Sequence, residues 1–121
     1  MSVFAVLLSI VLFFTFAASG IQKMVFNPVM SKSAEHLGFT KRGYQRIGVV
    51  ELVGAVGLIL GVAAHPSSFL GIVNVLAAAG LALAMALAVR VHLRRGDSAR
   101  MLSPALVLGV LALLELSSRL S

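Results

Sequence analysis

Glu51 is the residue of this chain whose type and place most invite chemistry. It lies in Gly48-Val49-Val50-Glu51-Leu52-Val53-Gly54-Ala55-Val56-Gly57-Leu58-Ile59-Leu60-Gly61, an apolar, glycine-rich stretch long enough to sit inside a bilayer. An ionisable side chain at that depth is costly and marks a functional position by default. Desolvation and a nearby cation act on such a carboxyl in opposite senses, and either can prepare it for general acid or base work. Lys23 ends an earlier apolar run at a similar depth, and Arg46 lies less than two helical turns before Glu51. Lys23 and Gln22 are the side chains suited to stabilise negative charge developing beside Glu51. Two readings stay open. Glu51 closes an ion pair with Lys23 or Arg46, or it serves a pocket.

Other polar groups fall where they can join such a pocket or merely pack. On a helix Thr15, Ser19 and Gln22 lie within about 60° of one another. They form either an inward polar stripe or hydroxyls bonded back to their own helix. His36 sits on a connection beside Glu35, either as a surface group or as part of a lid. Asn74 is placed to bridge helices. His92 lies among Arg90, Arg94 and Arg95. His36 and His92 are the two histidines that can meet on one side, whereas His65 falls on the other. No zinc spacing, phosphate loop or dinucleotide fingerprint is present, and no metal site is expected. No cofactor motif is evident. The absence of cysteine excludes intrinsic dithiol chemistry.

The elements that must position these residues are membrane helices. Of 121 residues, 60% are hydrophobic and only 12% charged. Residues 1–22, 52–89 and 101–114 carry no Asp, Glu, Lys or Arg. His65-Pro66-Ser67-Ser68 divides the longest run. The expected fold is therefore all-α, a transmembrane four-helix bundle in a single domain over residues 1–121, with spans at about 2–22, 45–64, 68–90 and 102–119. The first span lacks the basic start of a signal peptide and reads as a retained helix. Asn27-Pro28 stops it. A short interfacial helix is expected from about Ser33 to Leu37, ended by Gly38, with Thr40 capping the next span. Ser103-Pro104 is expected to open the last span as cap and first residue. Near that span's far end, Glu115 and Arg119 are spaced for an intrahelical ion pair.

Charge sets the orientation. Nine of the ten Lys and Arg residues lie in or beside the connections 23–46 and 90–101, with Arg119 the exception. The positive-inside bias makes those connections cytoplasmic and puts both termini and the His65 turn outside. The net charge of +6 then suits anionic headgroups and not nucleic acid. Gly54, Gly57 and Gly61 make a small-residue strip for close helix contact, to another helix of the chain or to a second copy.

Three stretches resemble the DoxX-like family of small four-span membrane proteins. They are Phe16-Ala17-Ala18-Ser19-Gly20-Ile21-Gln22-Lys23-Met24, then Ala34-Glu35-His36-Leu37-Gly38-Phe39, then Tyr44-Gln45-Arg46-Ile47-Gly48-Val49-Val50-Glu51-Leu52-Val53-Gly54-Ala55-Val56-Gly57-Leu58. In the family pattern a Gly-x-x-Lys helix end precedes a Gly-x-x-Glu-Leu helix. The resemblance implies a bundle in the cytoplasmic membrane, and family members are linked to membrane redox complexes. Two functional expectations follow. One is an accessory or scaffold subunit of a membrane complex, redox or quinone-linked, with a membrane-protein partner or a second copy. The other is a small membrane enzyme acting on a lipophilic substrate with Glu51 as general acid or base.

Overall fold

A computed structural model describes residues 3–62, 65 and 67–120. The chain folds as α1 (Val3–Val25), α2 (Pro28–Leu37), α3 (Lys41–Leu60), α4 (Phe69–Arg94) and α5 (Ala99–Leu120), with no strand among the described residues. All but α2 are long and apolar enough to cross a membrane. α1 packs on α3, α3 on α4 and α4 on α5, and α5 returns to α1 to close the bundle.

The boundaries follow local chemistry. α1 ends at Val25, past the expected span end at about residue 22 and just before the Asn27-Pro28 stop, because Phe26 takes a left-handed φ of 56° and breaks the repeat. That conformation costs a bulky residue about 1–3 kcal/mol, and the ring is held edge-on against Tyr44 at 6.3 Å. Asn27 then caps α2 through a 2.9 Å bond from the Met30 amide, with Pro28 at the first position. The pair read as a stop is thus also a start, and α2 begins well before Ser33. Gly38 ends it in the left-handed region, as expected, where the Arg95 side chain packs against the glycine and leaves no room for a Cβ.

Thr40 caps α3 through the Gly43 amide and Ser68 caps α4 through the Gly71 amide. α4 runs through Arg94, about a turn past its expected end, so His92 is helical. α5 begins at Ala99 and carries Pro104 inside it, not at its first position. Proline supplies no N–H to the carbonyl four residues back, which is that of Arg100. The Ser103 hydroxyl donates to that carbonyl instead, at 3.1 Å.

The interior is thin. Leu12, Phe16, Ala55, Leu58, Ala78 and Leu81 are buried. Large apolar residues such as Val3, Phe14, Val53 and Phe69 are exposed, at 66–78%. A surface of that kind is stable against hydrocarbon and not against water. It is the face of a multi-pass membrane protein.

A lysine–glutamate cavity between two helix pairs

The site begins with a contact between two glycines. A Cβ built on Gly20 would lie 2.5 Å from the Gly48 carbonyl oxygen, and one built on Gly48 would lie 2.6 Å from that of Gly20. Only glycine at both positions lets α1 and α3 cross this closely. Three residues beyond each glycine stand Lys23 and Glu51. Helical side chains lean toward their own N-terminus. On these antiparallel helices the two therefore lean toward each other, and the Lys23 Nζ meets the Glu51 Oε1 in an ion pair. Glu51 is 1% exposed and Lys23 17%. Lys23 also lies over the Tyr44 ring, 5.5 Å from its centre. The expected ion pair is thus formed with Lys23 and not with Arg46, which is exposed.

The pair does not satisfy the carboxylate. Glu51 Oε2 is buried without a hydrogen-bond partner. Beside it lies a cavity of about 720 Å³, between the α1–α3 pair and the α4–α5 pair. Phe16, Met85, Ala105 and Leu108 form apolar wall. Ser19, Lys23, Glu51, Arg46 and His92 also line it. One oxygen of Glu51 is clasped by Lys23, and the residue also borders a cavity.

A latch spans the end of the bundle that holds this cavity. The Asp97 carboxylate takes His36 Nε2 on one oxygen and His92 Nδ1 on the other, each at 2.6 Å. His36 thus ties α2 to the α4–α5 connection and does not pair with Glu35. These hydrogen bonds, His92 first and then His36, hold the Asp97 carboxyl below its ordinary pKa. The two histidines meet, as their shared side allows, through a carboxylate. No group that would hold a metal ion is found among the described residues.

Other expected residues stand elsewhere. Thr15 bonds back to the Val11 carbonyl at 2.8 Å. Gln22 is exposed and is not part of the cavity wall. Asn74 is buried and bridges helices, donating to the Leu58 carbonyl at 2.8 Å. Glu115 and Arg119 are both buried and turn to other helices. Glu115 accepts from the Ser9 hydroxyl on α1 at 2.8 Å, and Arg119 donates to the Gly61 carbonyl at 2.9 Å. Gly57 and Gly61 pack on α4 of the same chain, against Ala77 and the Leu70 carbonyl, so a second copy does not need that strip.

Four contributors have roles that the sequence reading does not assign, although Gly20 and Gly48 are part of the pattern that carries the resemblance. Tyr44 is buried in the wall, Asp97 makes the latch, and Gly20 with Gly48 sets the crossing. Each left a trace. Asp97 is the one acid in the basic connection 90–101, and the two helices share a glycine three residues before their charged partner.

Neither the curated proteins nor the solved structures contain a match to this chain. The model of the DoxX-like family matches residues 7–114, nearly the whole bundle and all of the Lys23–Glu51 crossing, and the protein belongs to that family.

Proposed function

We propose that the protein is an accessory membrane subunit that holds a lipophilic molecule, a lipid or a quinone, in the cavity between its helix pairs and beside a membrane-protein partner. One observation carries this reading. Glu51 keeps a buried carboxylate oxygen without a hydrogen-bond partner in the wall of a cavity of about 720 Å³. A buried polar atom left bare costs about 1–3 kcal/mol, and a ligand hydroxyl or N–H would recover that cost. The volume lies in the range of ligand pockets, about 300–1,000 Å³. The basic end faces the cytoplasm on this reading, by the positive-inside bias.

Purification in mild detergent, followed by organic extraction and mass spectrometry, tests it. A lipophilic molecule should be retained by the wild type and lost when Ala88→Phe fills the cavity. A lone protein with neither ligand nor partner sinks the proposal.

A second reading is favoured by the same pair. Lys23 and Glu51 stand together in the wall, so a lipophilic substrate in the cavity would meet a carboxylate able to act as general acid or base, beside a cation able to stabilise negative charge. Gln22, exposed, takes no part in that arrangement. Glu51→Gln should then abolish turnover in a folded protein, and an unaltered rate removes Glu51 from the mechanism.

A further inference from the structure

The cavity wall is unbalanced in charge, and that imbalance names the ligand more closely. Four permanent bases line it, Lys23, Arg46, Arg90 and Arg94, against one acid, Glu51. Lys23 is committed to Glu51. His92, which carries no permanent charge, is committed to Asp97. The three arginines appear in no ion pair among the described residues. They come from facing elements, Arg46 from α3 and Arg90 with Arg94 from α4, and all three are exposed at the same end of the bundle. Farther along the bundle the wall is apolar, with Phe16, Met85, Ala105 and Leu108. The cavity therefore has a cationic mouth and a hydrocarbon floor.

We propose that its ligand is an amphiphile with one hydrocarbon chain and an anionic head, the chain lying between the helix pairs and the head held by Arg46, Arg90 and Arg94. The inference rests on the cavity being a ligand site, as set out above, and adds the chemistry of the head. Guanidinium groups bind carboxylate and phosphate through paired N–H donors, which suits either kind of anionic head. A volume of about 720 Å³ gives room for a hydrocarbon chain between the helix pairs. A neutral lipophile would leave the arginine collar without a counterion inside the cavity mouth. Glu51 does not oppose the head. Its charge is met by Lys23, and its bare oxygen takes its hydrogen bond from water drawn in beside the chain.

Photolabelling in zwitterionic phosphatidylcholine vesicles tests the head and the cavity separately. The probes are hexadecanoic acid and hexadecanol, each with a diazirine at the far end of the chain, and labelled peptides are mapped by mass spectrometry. In the wild type the acid should label the Met85 and Leu108 segments about tenfold more than the alcohol, the factor expected for one charged hydrogen bond. In the triple variant Arg46→Gln, Arg90→Gln, Arg94→Gln the two probes should label equally, with the alcohol unchanged from wild type. The double variant Lys32→Gln, Arg42→Gln removes charge from the same end outside the cavity wall and should keep the preference for the acid. Phosphorylated hexadecanol with the same tail label separates the two anionic heads, and stronger labelling by either one still supports the collar. Equal labelling of wild type by acid and alcohol overturns the anionic head while leaving the cavity reading standing. Loss of the preference in the Lys32, Arg42 variant also overturns it, because general surface charge would then be the cause. No labelling of cavity segments by any probe overturns the cavity reading itself.

Discussion

The two ends of this bundle each bury a glutamate, and they use it in opposite ways. At the basic end Glu51 joins Lys23 across α1 and α3, and the helix pairs part to leave a cavity. At the His65 end Glu115 joins Ser9 across α5 and α1, while Asn74 donates to a carbonyl of α3 and Arg119 to that of Gly61, just past its end. The second set consists of interhelical bonds that draw the two pairs together. Both carboxylates keep one buried oxygen without a hydrogen-bond partner, Oε2 in each case. A buried acid alone therefore does not mark a site. Glu51 borders a cavity that Arg46, Arg90 and Arg94 also line.

The largest effect should come from breaking the charged clasp. Lys23→Met leaves Glu51 buried without its cation, which typically costs about 3–5 kcal/mol. Unfolding in detergent should show that loss, and adding Glu51→Gln to the same protein should recover much of it. If the single variant is as stable as the wild type, the clasp does not hold this end together. Next is the crossing itself. Gly48→Ala places a Cβ against the Gly20 carbonyl, and overpacking of this kind costs about 1–3 kcal/mol. Disulfide trapping between cysteines placed on α1 and α3 should report the helices moving apart.

At the pinned end the expected change is no larger and of another kind. Ser9→Ala removes the donor to Glu115 and should cost about 1–3 kcal/mol, with retention of the cavity ligand unchanged. Lost ligand in that variant would show that the two ends are coupled more tightly than their separation suggests. The smallest effect concerns the latch. The Asp97 carboxyl is held below its unfolded value of about 3.9. Its contribution is therefore present above that value and is lost as pH falls through the folded pKa. Hydrogen exchange at α2 amides should stay slow through mildly acidic pH, so far as Asp97 governs it, and quicken only in strong acid. Asp97→Asn should quicken it at neutral pH.

Much of the frame was legible before any coordinates. Uncharged runs of membrane-spanning length give the four long helices, because the backbone must satisfy its own hydrogen bonds in hydrocarbon. Asn27, Gly38, Thr40 and Ser68 act within a few residues of themselves, so caps and turns are local chemistry. The misread boundaries are of the same local kind. Ser103-Pro104 reads as a cap and first residue, but the Ser103 hydroxyl makes an interior proline tolerable. The Glu115–Arg119 spacing suggested a pair along one helix. Spacing says that two side chains share a face, not that they choose each other over partners on facing helices.

The sequence by itself determined that helices span a membrane, that the basic residues gather at one end and that Glu51 is buried. Those follow from residue types and from distances along one helix. The tertiary structure decided which partner each buried charge takes, that Gly20 meets Gly48, that Asp97 joins His36 to His92, and that space remains beside Glu51. Those depend on the rotation and crossing of helices far apart in the chain, which no local spacing encodes. A shift of one residue turns a helix face by about 100°, enough to replace a cavity wall with a lipid-facing surface.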